Sequence, residues 1–308
     1  MVVVELAPKL PVLDFSKETL KPGSSSWLKA CGEVRLALEE YGCFVVEYNK
    51  LTAGLRNEVF GKLKELFDLP TEVKMQNKCK RPLISYIGQN SRIPLHESMG
   101  IEDAETPEAA HNFTTLMWPH GNDRFRESIH AYGKLSAELD KIVTRMLFES
   151  YGVEKYHDSY VDSTCYVLRL LKTRAPKEDE SCMGLGAHTD TSFTTILHQN
   201  QINGLEIDTK DGRKIDVDFS PSSFVVMAGD ALMAWSNDRI KSPTHQVRMN
   251  GNVDRYSMGL FTFNNGTLQV PEVLVDLDHP LMYNPFNHLD FLQSYQNNRR
   301  PIKAYCGI

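Results

Sequence analysis

Apolar residues recur along this chain in two rhythms, a helical one before about residue 155 and a strand-like one after it. Behind Ser24-Ser25-Ser26, which offers an N-cap, Leu28, Cys31, Val34 and Leu38 form a stripe that ends near Tyr41-Gly42. A second helix is expected from Thr52, with Leu55, Val59, Leu63 and Leu66 on one face and Pro70 closing it. The longest helical pattern covers 123–151, where Ile129, Tyr132, Leu135, Leu139, Ile142, Met146 and Leu147 keep a 3.6 spacing up to Gly152. Short strands are expected at 10–15 and 43–48. Between 78 and 108 no period persists: Gly88, Asn90, Pro94, Gly100 and Pro107 punctuate a segment that reads as a loop.

From about residue 160 short β-prone runs follow one another at 165–171, 193–197, 204–207, 224–228, 231–235 and 256–263. Lys210-Asp211-Gly212 and Ala228-Gly229-Asp230 read as hairpin turns between them. Strands so spaced, without helices between them, predict an antiparallel sandwich or barrel. Residues 287–296 return to helix. The fold class is therefore mainly β with flanking helices, divided as an N-terminal region (1–120), a backbone helix (121–155), a β core (156–275) and a helical tail (276–308).

Composition narrows the function. Of 308 residues, 41% are hydrophobic and 24% charged, the proportions of a globular protein. A net charge of −6 with scattered cations excludes a nucleic-acid footprint. No run is long enough for a membrane helix, and Met1 to Val4, interrupted by Glu5 and Pro8, does not read as a signal peptide. Six widely spaced cysteines without a Cys-x-x-Cys read as reduced thiols. The expectation is a cytoplasmic monomer with no membrane or nucleic-acid partner.

The candidate chemistry sits at His188-Thr189-Asp190. On a strand, residues two apart share a face, so an imidazole and a carboxylate could meet one metal ion. His245, entering another strand, would complete a two-His-one-carboxylate triad, the open-sided arrangement of non-haem Fe(II) oxygenases. His288-Leu289-Asp290 repeats the spacing but falls in the helical tail, where positions two apart diverge. His198 is the rival ligand. Its even spacing from His188 allows the same face, but ten residues of strand rise, about 33 Å, exclude it. Arg255 and Ser257 again share a strand face, and a guanidinium beside a hydroxyl makes a holder for a small dicarboxylate. The same parity turns Phe261 inward, and parity from Thr173 turns Arg169 inward.

His188-Thr-Asp190, His245 and Arg255-x-Ser257, in that order and at those intervals, resemble the plant 2-oxoglutarate- and Fe(II)-dependent dioxygenase superfamily. The stretches 112–119, 229–237, 274–280 and 303–308 are similar to its AOP-like branch. The resemblance implies a double-stranded β-helix (jelly-roll) core, Fe(II) held by His188, Asp190 and His245, and 2-oxoglutarate bound through Arg255 and Ser257. It also implies O2 as co-substrate, ascorbate as reductant, and hydroxylation of a hydrophobic plant specialised metabolite. Desaturation, oxidative ring closure, and a silent binding protein are the alternatives. Phe261 matches a position that stacks on substrates in the family. Phe113 and Arg169 are further substrate-contact candidates, with 78–108 and 113–118 as lid and rim. Two departures stand out: Thr173 occupies a position usually held by Tyr, and Gln246 one often held by Arg.

Overall fold

The computed structural model describes residues 9–16, 20–218 and 220–308; the apolar opening Met1 to Val4 lies outside them. The first third supplies strands β1 (Val12–Asp14), β2 (Cys43–Glu47) and β3 (His96–Glu102). After them come β4 (Thr164–Thr173), β5 (Met183–His188), β6 (Thr194–Gln199), β7 (Leu205–Asp208), β8 (Lys214–Asp216), β9 (Ser223–Ala228), β10 (His245–Arg248) and β11 (Arg255–Asn264). The helices that position the site are α1 (Ser25–Tyr41), α2 (Ala53–Phe67), α3 (Thr71–Lys74), α4 (Pro107–Met117), α5 (Asp123–Ser150), α6 (His157–Asp162), α7 (Asp230–Trp235) and α8 (His288–Asn298). Seven strands form one sheet in the order β1-β2-β9-β6-β11-β4-β3, and four form a second, β5-β10-β7-β8.

Period-two alternation sorts the large sheet into two faces. Phe44, Val46, Phe224, Val226, Met258 and Leu260 pack with α1, α2 and α5 in the main core. Their neighbours Cys43, Val45, Val225 and Met227 point the other way, onto Leu205, Ile207 and Ile215 of the second sheet. Two sheets, antiparallel except where β1 runs parallel to β2, enclose a narrow interior and make the jelly-roll expected from the sequence. Because β1, β2 and β3 join the large sheet, the N-terminal region is built into the same architecture.

Local signals act as read in α1, whose Ser24 hydroxyl accepts from Trp27 N and whose Gly42 closes the helix in the left-handed region at φ 71°. Thr52 caps α2 in the same way. Leu28 departs from the expected stripe: it is 60% exposed, and Trp27 and Ala30 turn inward with Cys31, Val34 and Leu38 instead. The segment 78–108 is not all loop. β3 pairs along β4 from His96↔Thr173 to Glu102↔Val167, and Thr106 caps α4 with Pro107 in its first turn. Only Met99 and Ile101 of β3 face the main core, so its alternation was too short to register.

The run 231–235 is helical, not a strand. A five-residue apolar run carries no period that separates the two, and here the tertiary context decides. The N-terminus of α7 turns its backbone N–H groups onto the chain after β5: Asp230 N donates to Asp190 O at 2.7 Å and Ala231 N to Ser192 O at 3.2 Å. Ala228-Gly229-Asp230 is thus a strand-to-helix corner rather than a hairpin, and a Cβ on Gly229 would lie 1.9 Å from Ser192 O. Gly229→Ala should therefore destabilise the fold by about 1–3 kcal/mol, the range for overpacking. It should also displace the loop carrying Asp190, a change that denaturant unfolding and metal titration of the variant would both read.

Candidate active site

β5 ends at His188, so Thr189 and Asp190 lie in the turn beyond the strand rather than on its face. Proximity of the three candidate ligands comes instead from sheet pairing and from that turn. His245, the first residue of β10, stands opposite His188 in the antiparallel register, with ring centroids 4.3 Å apart. The turn then returns Asp190 Oδ1 to 3.8 Å from both Nε2 atoms. One ligand atom from each residue lies within 4.8 Å of the others.

Each side chain is fixed from behind. His188 Nδ1 lies 2.8 Å from Gly186 O, and His245 Nδ1 lies 3.2 Å from Pro243 O. A carbonyl only accepts, so both rings carry the proton on Nδ1 and leave the Nε2 lone pairs free to ligate. Burial, the largest influence, holds His245 below the ordinary imidazole range against the opposing pull of Asp190, keeping it neutral. Thr195 Oγ1 donates to Asp190 Oδ2 at 2.7 Å, which leaves Oδ1 for the metal. Ser192 Oγ lies 2.7 Å from the same Thr195 oxygen. Two neutral imidazoles and one anchored carboxylate suit an iron(II) ion with open coordination positions. Thr195 was not singled out from the sequence, although the Thr/Ser-rich run after Asp190 was a signal. Removing its hydroxyl in Thr195→Val should weaken metal affinity about 10- to 100-fold, measured by iron(II) titration.

Arg255 and Ser257 lie on the interior face of β11 as parity required. Arg255 is 4% exposed; its Nε donates to Gln199 Oε1 at 2.9 Å and its Nη1 to Ser257 Oγ at 3.0 Å. Gln199, which sequence reading missed, orients the guanidinium. Burial pulls Arg255 down to about 10, and no carboxylate forms an ion pair with it among the described residues. A buried cation with only neutral partners fits an incoming dicarboxylate. Thr173, the departure from the family pattern, is 2% exposed and is the β4 register partner of Arg255. Gln246, the other departure, donates Nε2 to Glu206 Oε2 at 2.5 Å on β7.

A cavity of about 370 Å³ opens over the ligands, lined in part by Leu171, Leu185, Phe261, Leu292 and Arg169. Pro82, Leu83, Ile87 and Ile93 from the irregular segment and Tyr295, Gln296 and Arg299 around the end of α8 form its rim. Phe261 and Arg169 are thus where parity put them. Phe113 is not: at 6% exposure it stacks on Phe125 at 5.8 Å, inside the main core between α4 and α5, because a helix and not a loop carries it. The rim residues around the end of α8 had no sequence signal, since only tertiary packing brings the tail over the barrel.

The other histidines fall outside the cluster. His198 lies on the helix-side face of β6, wedged against Phe60, Tyr132 and Phe224, and burial lowers it to about 3. Its face excludes it, and β6 belongs to the other sheet rather than continuing β5. His288 begins α8, its Nε2 2.8 Å from Thr191 O and its Nδ1 accepting from Asn264 N. No helix among the described residues is long and apolar enough to cross a membrane.

Comparison with known proteins agrees with this geometry. Residues 163–264 match the 2OG-Fe(II) oxygenase superfamily and residues 10–115 match the N-terminal region of non-haem dioxygenases in morphine synthesis. The probable 2-oxoglutarate-dependent dioxygenase AOP1 of Arabidopsis thaliana is 43% identical over 297 residues, covering 94% of this chain and 91% of the relative. AOP3 of the same plant is 32% identical, with 98% of each chain covered. Among solved structures, the rice dioxygenase for auxin oxidation superposes with a TM-score of 0.82 at 26% identity, covering 97% of this chain and 100% of that one. Its Arabidopsis thaliana counterpart, solved with 2-oxoglutarate, gives 0.79 at 28% identity over 88% and 100%. Iron(II), 2-oxoglutarate and O2 are accordingly the reactants this scaffold is built for, and the chain belongs to the 2-oxoglutarate- and Fe(II)-dependent dioxygenases, in the AOP-like branch.

Proposed function

We propose that this protein hydroxylates a C–H bond of a small, largely apolar plant metabolite. In that reaction R–H, 2-oxoglutarate and O2 give R–OH, succinate and CO2. His188 Nε2, His245 Nε2 and Asp190 Oδ1 would hold the iron, and Arg255 with Ser257 the distal carboxylate of 2-oxoglutarate. The single observation that carries this reading is the convergence of two oriented imidazoles and one anchored carboxylate inside 4.8 Å, at the floor of an apolar cavity. When bound, iron(II) supplies O2 activation coupled to decarboxylation. The chain's own residues do the rest. Gln199 and Ser257 hold the Arg255 guanidinium in one orientation, so the co-substrate enters in one direction. Leu171, Leu185 and Phe261 exclude water and press a substrate toward the ligands. The solved relatives named for auxin oxidation act on a small molecule, as the cavity's size also suggests.

The test is succinate formation from 2-oxoglutarate with iron(II), ascorbate and O2, with and without candidate metabolites. Substrate-stimulated succinate with a product heavier by one oxygen atom is the expected result. Succinate at no level above a metal-free control would sink the proposal.

A further inference from the structure

The cavity over the metal ligands is not uniformly apolar. Leu83, Ile87, Leu171, Leu185, Phe261 and Leu292 form much of its wall, and against them Arg169 of β4 is 7% exposed. One of its terminal nitrogens, Nη2, donates to Ser98 Oγ, while its Nε has no acceptor. No carboxylate forms an ion pair with it among the described residues, and burial pulls it down to about 10 against the opposing pull of the more distant Asp190. Asp190, the acidic residue in the lining, already engages Thr195 through Oδ2 and faces the two imidazoles through Oδ1. His96 adds no compensating charge. Ser98 Oγ, which accepts from Arg169, also lies 3.0 Å from His96 Nε2, and burial with the nearby Arg169 holds that ring at about 3. A guanidinium left this way in an apolar wall is costly unless an anion arrives to meet it.

The co-substrate holder is a separate cation. Arg255 stands opposite Thr173 in the β11–β4 register, whereas Arg169 stands opposite Gly259. Four residues of strand, about 13 Å of rise, separate the two backbone positions. Arg299, just past the end of α8, places a second positive charge at the cavity mouth.

Resting on the oxygenase reading above, we propose that the substrate is a carboxylic acid. Its apolar body lies along Leu171, Leu185 and Phe261, and its carboxylate is bound by the buried Arg169. Arg169 thereby selects acids over neutral molecules of the same shape and fixes which end of the substrate faces the metal.

The experiment uses the full chain and probes of known chemistry. Phenylacetate and decanoate, each against its own primary amide, are titrated calorimetrically into wild-type protein, R169Q and R169K, and 2-oxoglutarate is titrated into the same proteins with iron(II). Wild-type protein should bind at least one acid about 10-fold or more tighter than its amide, as expected for a charge-assisted bond. R169Q should erase that preference, R169K should retain most of it, and 2-oxoglutarate affinity should stay within about 3-fold throughout. Equal binding of acid and amide to wild-type protein overturns the proposal. So does an R169Q variant that loses 2-oxoglutarate affinity but keeps the acid preference, since Arg169 would then serve the co-substrate. Should R169Q fail to fold, the wild-type and R169K ratios still decide. Failure of the oxygenase reading shows separately, as absent succinate formation, and leaves these binding ratios standing.

Discussion

His188→Ala should abolish 2-oxoglutarate turnover and leave the protein folded. The side chain is a third exposed, so its loss costs little packing. What it removes is one of three ligand atoms, leaving Asp190 and His245 to hold the ion by two. Charge stabilisation by a bound metal is worth several kcal/mol, and each ~1.4 kcal/mol is tenfold in rate. A fall of about 10³-fold or more is therefore expected in succinate formation, together with loss of bound iron by elemental analysis. His279→Ala is the matched control, because that side chain is half exposed and, among the described residues, hydrogen-bonds to the surface carboxylate of Asp276. Retained turnover in His188→Ala would refute the ligand assignment outright.

Arg255→Met, by contrast, should leave iron affinity intact and raise the KM for 2-oxoglutarate. Truncating one partner of a buried charge pair costs about 2–5 kcal/mol, so an increase of about 30-fold or more is expected. Thermal unfolding gives a second reading. Saturating 2-oxoglutarate should raise the Tm of the wild-type protein by mass action and leave that of the variant unmoved. Arg255→Lys should fall between, since an ammonium keeps the charge but loses the planar fork that meets both carboxylate oxygens. A variant with unchanged KM would mean that the dicarboxylate is held elsewhere, and Arg169 would be the next residue to test.

Thr173 bears on the same measurement. It sits across from Arg255, and Gln199 and Ser257 are the groups bonded to the guanidinium. Orientation of the cation therefore depends on β6 and β11 themselves. That dependence was invisible in the sequence because Gln199 lies 56 positions from Arg255 and belongs to no motif.

The sequence by itself determined the elements whose signals are local. Ser24 and Gly42 bracket α1, Thr52 starts α2, and the 3.6 repeat marks α5 from end to end. It also determined which side chains share a strand face, because pleating is fixed at period two wherever the strand lies. Arg255, Ser257 and Phe261 face inward for that reason. Where the local signal was weak, tertiary structure decided. β3 has a main-core face of two apolar residues, and the five apolar residues of α7 suit helix and strand alike. The long-range geometry of the site was beyond the sequence for the same reason. That His188 and His245 stand opposite one another is a matter of sheet register. That Asp190 returns to both depends on a turn held by the N–H groups of α7 and by Thr195. Whether Arg169 meets a carboxylate is likewise a question of packing, since a charge becomes costly only once its neighbours remove the water around it. Chemistry of residue types could be read along the chain; their distances and burial could not.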